Sequence, residues 1–197
     1  MDDVAVYVLA GGKSTRMGSD KAFLELHGQS LLKRALGLAR TVSQDVHIVG
    51  ERDKFADFAA VTEDIYRNRG PLGGIHAALS DSNSELNLIM AVDLPLLEAA
   101  FLSYLISRAR RENNIVTVPR AAGGLQPLCA VYRRSFVDVA EHALREGRNK
   151  IDPLFTERES SVVEEQELLR AGFSTKMFQN LNTPEELSQA RLEAEHI

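Results

Sequence analysis

"VAVYVLAGG", residues 4–12, decides how the rest of the chain is read. Residues 4–10 are apolar and β-prone without a break. A strand with one wet face would alternate, so this run reads as a strand covered on both sides. Two glycines end it at once. Gly11 and Gly12 carry no side chain, so the backbone there can turn sharply and bring its amides up to an anion. "KSTRMGSDKAFL" (13–24) follows, with Lys13, Arg16 and Lys21 on one strand-to-helix connection. A phosphate-binding P-loop would need another glycine five positions before Gly12, where Tyr7 stands. The dinucleotide pattern G-x-G-x-x-G fails at Lys13.

Outward from this stretch, apolar and amphipathic runs alternate. Strands are predicted at 45–50, 59–63, 86–92, 115–119, 127–132 and 161–164. Helices are predicted at 30–41 with Ser30 as N-cap, 71–81, 96–112, 134–146, 165–171 and from Pro184 onward. Such alternation predicts a three-layer α/β/α sandwich around a mainly parallel, mixed sheet. No repeat, low-complexity segment or linker interrupts it, so residues 1–197 read as a single domain.

The 197 residues suffice to bury roughly 70% of the unfolded chain's surface. A net charge of −5 argues against a general grip on nucleic acid. No run approaches a membrane span of about 20 residues. The opening "MDDVAVYVLAGG" has acidic residues where a secretory leader is basic, and the expectation is a cytoplasmic protein. Cys129, the one cysteine, sits in the apolar run "PLCAVY" and reads as a buried structural thiol.

In open α/β sheets ligands bind beyond the carboxyl ends of the strands. Two loops carry the needed groups. After the first strand, Gly11 and Gly12 offer backbone, Arg16 a fork of donors and Lys21 a point charge, equipment suited to a triphosphate. After "LNLIMAV" (86–92) comes Asp93, a carboxylate that Mg²⁺ with phosphate oxygens would suit; helix N-capping within "DLPLLEAAFL" is the other reading of it. Asp64, in "VTEDIYRNRGPLGG", can accept hydrogen bonds from a base or ribose, or stand as an ordinary turn aspartate. The histidines show no metal-ligand spacing, and no G-x-S-x-G elbow is present.

"LAGGKSTRMGSDKAFLELHG" resembles the N-terminal motif of the molybdenum cofactor guanylyltransferases, and "EDIYRNRGPLGGIHAAL", "AVDLPLL", "QPLCAVY" and "NLNTPEEL" resemble that family's later blocks in the same order. The resemblance implies a Rossmann-like nucleotidyltransferase fold and transfer of GMP from GTP to molybdenum-loaded molybdopterin, with release of pyrophosphate. It implies that Leu9, Ala10, Gly11 and Gly12 line the nucleotide site, that Lys21 contacts phosphate, that Asp64 helps hold the nucleoside and that Asp93 ligates Mg²⁺. "GPLGG" (70–74) would lie near guanine, and Gln126, Asn180 and Asn182 on the acceptor side. Arg16 and Lys21 would stabilise charge gathering on the leaving pyrophosphate. Some members carry an Asn after the second strand that contacts the nucleotide; "HIVGERD" stands here instead. Within "NTPEEL", Thr183, Pro184 and Glu186 also form a helix-capping box. Two alternatives remain at this stage. One is another nucleotidyl transfer, to molybdopterin from CTP or to a sugar or alcohol phosphate, although those relatives more often read LAAG and lack "GPLGGI". The other is a non-catalytic nucleotide-binding module, which needs no clamp on a leaving group.

Overall fold

The computed structural model describes residues 4–11, 20–156 and 158–180. Every residue of β1 (Val4–Leu9) is buried. Val4, Val6 and Val8 point into one core, Ala5, Tyr7 and Leu9 into another. This two-sided burial is what the unbroken apolar run requires. A small hairpin follows, β2 (Glu25–Leu26) and β3 (Gln29–Ser30). Its two-residue turn, His27-Gly28, holds both φ angles positive at 52° and 72°, the geometry that matches the twist of paired strands. α1 (Leu31–Ala39) then starts at Ser30, whose Oγ accepts from the Lys33 amide at 3.3 Å, as the sequence predicts.

The chain continues through β4 (Val46–Val49), α2 (Arg52–Phe55), β5 (Ala60–Thr62), α3 (Pro71–Asp81) and β6 (Leu86–Ala91). It goes on through α4 (Ala99–Arg111), β7 (Val116–Ala121), β8 (Gly124–Leu125), β9 (Cys129–Arg133), α5 (Phe136–Arg145), β10 (Ser160–Val163) and α6 (Glu165–Arg170). The sheet runs β10-β7-β9-β6-β1-β4-β5, with β8 paired to β7. β1 is parallel to both β4 and β6, β4 to β5 and β10 to β7. β9 runs against both its neighbours, which makes the sheet mixed.

α1, α4 and α6 bury Leu32, Leu36, Phe101, Leu105 and Leu168 against one face of the sheet. α3 and α5 bury Leu72, Ile75, Leu79, Phe136 and Leu144 against the other. The α/β/α order of layers expected from the alternation is the order observed.

The differences are at element ends. α4 begins at Ala99 rather than 96, because Pro95 and its neighbours spend residues 93–97 in turns. β9 begins at Cys129 rather than 127, since the Cys129 amide closes a turn onto the Gln126 carbonyl at 3.0 Å. The hairpins and α2 are too short to leave a periodic signal. The helix predicted from Pro184 lies outside the described residues. Cys129 is free and buried, and burial pushes its thiol well up from the usual range.

Candidate active site

The sheet register brings four strand ends together. Leu9 lies opposite Val49 and Ala91, and Val49 opposite Thr62. Just beyond β1, the Ala10 and Gly11 amides both donate to the Val49 carbonyl, at 3.0 and 3.1 Å, and on the other side the Val92 amide donates to the Leu9 carbonyl at 3.1 Å. A Cβ on Gly11 would lie 3.5 Å from the Gly50 Cα, an ordinary contact distance, so the β1 and β4 exits run side by side. Within "HIVGERD", the stretch where a nucleotide contact is left open, a Cβ on Gly50 would meet the Phe55 ring at 2.7 Å. Packing under α2 explains the glycine.

Lys21 opens a single 3₁₀ turn (Lys21–Phe23) that Asp20 caps, its Oδ1 accepting from the Ala22 amide at 3.1 Å. The turn aims Lys21 across the strand ends: Nζ lies 3.3 Å from Asp93 Oδ2, with the two side chains 25% and 20% exposed. Asp93 is thus an ion-paired carboxylate at the end of β6 and caps no helix. The residue before α4 is Glu98, which makes no side-chain cap. The capping reading of Asp93 is set aside on this geometry.

Asp64 lies two residues past β5, half-buried. Burial alone holds its carboxyl above the usual carboxylate range. It makes no hydrogen bond or ion pair with the described residues, although Oδ1 sits 3.7 Å from where a Cβ on Gly74 would be. A desolvated anion beside the first turn of α3, where helical amides have no intrahelical acceptor, is an arrangement that accepts N–H or O–H donors from outside.

The loop from Asp64 to Gly70 is bent by positive φ at Asn68 (61°) and Gly70 (65°). It folds back so closely that a Cβ on Gly73 would fall 2.8 Å from the Tyr66 carbonyl oxygen. Tyr66, which sequence reasoning passed over, leaves this loop to pack on the α3–α5 core. Its one signal is being the lone aromatic between Asp64 and Gly70.

Of the acceptor-side candidates, Gln126 is half-buried, and its Nε2 donates to the Ala121 carbonyl at 3.0 Å, bracing the β7–β8 turn. Its own amide donates to the Pro119 carbonyl of β7 at 2.8 Å, and two residues on, the Leu128 carbonyl accepts from the Ala91 amide at 2.8 Å. Asn180 is exposed just past a 3₁₀ turn whose Phe178 packs edge-on against Phe101. Gly12, Arg16 and Asn182 lie outside the described residues. The structure therefore brings Leu9, Ala10, Gly11, Lys21, Asp64 and Asp93 to one rim of the sheet.

The MobA-like NTP transferase domain family matches residues 6–161. A molybdenum cofactor guanylyltransferase from Desulfosudis oleivorans is 34% identical, over 96% of this chain and 95% of its own. A probable one from Pelotomaculum thermopropionicum is also 34% identical, over 96% and 92%. The crystal structure of molybdopterin-guanine dinucleotide biosynthesis protein A from Archaeoglobus fulgidus superposes with a TM-score of 0.84 at 26% identity, covering 98% of this chain and all of that one. With the fold, the rim and the length of the match in agreement, the chain belongs to the MobA-like NTP transferase family and is a nucleotidyltransferase.

Proposed function

We propose that this nucleotidyltransferase moves GMP from GTP to molybdenum-loaded molybdopterin, forming the guanine dinucleotide form of the molybdenum cofactor and releasing pyrophosphate. The observation that carries the reading is Lys21 Nζ held 3.3 Å from Asp93 Oδ2, just past the ends of β1 and β6. A cation and a carboxylate in reach of one triphosphate are what phosphoryl chemistry asks of a protein, and the names of the relatives supply the nucleotide and the acceptor.

The acceptor's terminal phosphate oxygen attacks the α-phosphorus of GTP. A P–O bond forms there, the bond to the β-phosphate oxygen breaks, and pyrophosphate departs on the far side. The attacking phosphate is already an anion at neutral pH, so no base is required. Positioning and charge neutralisation then dominate. Gly11, with Gly12, lets the backbone close on the phosphates. Lys21 and Arg16 compensate the charge growing on pyrophosphate. Asp64 accepts hydrogen bonds from the nucleoside, with Leu9 and Ala10 flooring the site and Gly70–Gly74 beside the base. Gln126, Asn180 and Asn182 are assigned to the acceptor by the family resemblance alone.

Mg²⁺ fits this rim. Asp93 offers hard oxygen donors, and Lys21 engages its Oδ2. Among the described residues no group of three or more His, Cys, Asp or Glu could enclose an ion. That donor set suits a cation that takes one carboxylate and completes its shell with phosphate oxygens and water. Held by Asp93, Mg²⁺ would supply Lewis-acid stabilisation of the phosphates.

No helix among the described residues is long and apolar enough to cross a membrane, and both substrates are small soluble anions. Calorimetric titration with GTP, CTP and ATP in the presence of Mg²⁺, followed by pyrophosphate release on adding molybdopterin, tests the proposal. Preference for GTP and acceptor-dependent release are expected. Preference for CTP overturns the guanylyl assignment.

A further inference from the structure

The β5–α3 loop, which carries Asp64, is fastened to a helix that contributes nothing else to the rim. Tyr66 Oη donates to Glu141 Oε1 at 3.3 Å, and Arg145 Nε donates to Tyr66 Oη at 3.5 Å. Arg145 Nη2 closes the triangle on Glu141 Oε1 at 2.8 Å. Glu141 and Arg145 lie one turn apart on α5, so the phenol meets an acceptor and a donor already fixed to each other. The Tyr66 ring stands edge-on to His76 of α3, with centroids 5.0 Å apart and an interplanar angle of 80°, a favoured aromatic arrangement. His76 is 4% exposed, its Nδ1 has no hydrogen-bond partner, and burial holds the imidazole below its ordinary range, which keeps the facing ring neutral. The backbone is held as well as the ring, since the Tyr66 carbonyl rests against Gly73 with no room for a side chain between them.

The loop has few other restraints. Ile65 is 62% exposed, Arg67 and Asn68 face solvent, and two residues sit at positive φ. Asp64 itself has no partner among the described residues. Its carboxylate can be aimed only by the backbone on either side: β5 before it and Tyr66 two residues after.

We propose that Tyr66 is a positioning residue, clamped by Glu141 and Arg145 of α5 and by His76 of α3, that holds the Asp64 loop in its nucleotide-accepting geometry. The proposal rests on Asp64 facing the nucleoside, as read above. Preorganisation of this kind acts on affinity, because a loosened loop must be re-ordered when the ligand binds. The chemical step at Lys21 and Asp93 lies at other strand ends and is left alone.

The test uses the full chain and Tyr66→Phe, which keeps the ring against His76 and removes only the hydroxyl. Tyr66→Ala removes both. Calorimetry with Mg²⁺ and each of GTP, CTP and ATP gives Kd; turnover gives KM and kcat; hydrogen exchange of the ligand-free protein reads the amides of 63–74. Tyr66→Phe is expected to raise Kd and KM for the preferred nucleotide about five- to tenfold, to leave kcat within about twofold and to speed exchange in 63–74, and Tyr66→Ala to do more of each. Unchanged nucleotide affinity in Tyr66→Phe overturns the proposal, whether or not the melting temperature moves. So does a fall in kcat with KM constant. Which nucleotide the wild-type chain prefers is a separate readout: a preference for CTP, weakened by Tyr66→Phe, would overturn the guanylyl reading and leave the clamp standing.

Discussion

Asp93 and Asp64 stand at the same rim of the sheet, with the ends of β1 and β4 between them, yet they are held in opposite ways. Asp93 is met by Lys21 at 3.3 Å and has its charge compensated inside the protein. Asp64 is left desolvated, with its carboxyl raised by burial and nothing among the described residues to satisfy it. The pair teaches how a binding site divides its work. On the proposed reading, the phosphate end is balanced in the protein alone, and the nucleoside end stores an unsatisfied acceptor whose cost a bound ligand would relieve.

The sharpest way to break this contrast is Lys21→Ala. Loss of a charge-compensating donor at the reacting centre is expected to lower kcat roughly a hundred- to a thousandfold. The partly exposed pair itself contributes only about 0–1 kcal/mol to stability, so the melting temperature should stay within about 4 °C. Steady-state pyrophosphate release and a thermal melt check both halves. At the other carboxylate the signs part. Asp64→Asn removes a desolvated charge and is expected to raise the melting temperature of the ligand-free protein. The same change should cost about 1.5–3 kcal/mol of nucleotide affinity. A variant that loses both stability and affinity would show that Asp64 has a partner within the fold.

Gly73→Ala probes the loop's close approach. Its Cβ would lie 2.8 Å from the Tyr66 carbonyl, so about 1–3 kcal/mol of stability should be lost in a urea titration. The smallest expected effect is a pH dependence. His76 is held below its ordinary value of 6.5 by burial, so the unfolded chain takes up protons before the folded one. Its contribution is complete above pH 6.5 and is lost as pH falls from there toward the depressed folded value. The urea midpoint should decline over that window, and His76→Gln should flatten the slope.

The layers of the fold were legible because β1 and β6 are apolar throughout and can only be strands buried on both faces. Ser30 and the Pro71 helix start were legible for the same kind of reason, a local rule with one physical outcome. At the site, Lys21 and Asp93 could be picked out by type and by the loops they occupy, but only the 3.3 Å contact in the fold shows that they meet. The two readings of Asp93 could not be separated until α4 was seen to start at Ala99, because Pro95 moves the start without erasing the helical pattern. Tyr66 was hidden for a deeper reason. Its partners Glu141 and Arg145 lie more than seventy residues away, and no local periodicity reports a contact made through tertiary packing.

The glycine at position 50 constrains how such a site could be rebuilt. Gly50 follows β4 directly, and the first carbon of any side chain there would collide with the Phe55 ring. Positions 50 and 55 are therefore epistatic, and any route to a new contact has an order: Phe55 must shrink before Gly50 can grow. A library that varies one position at a time would discard both steps, the first for a cavity and the second for a clash, and only paired variation would reach the combination.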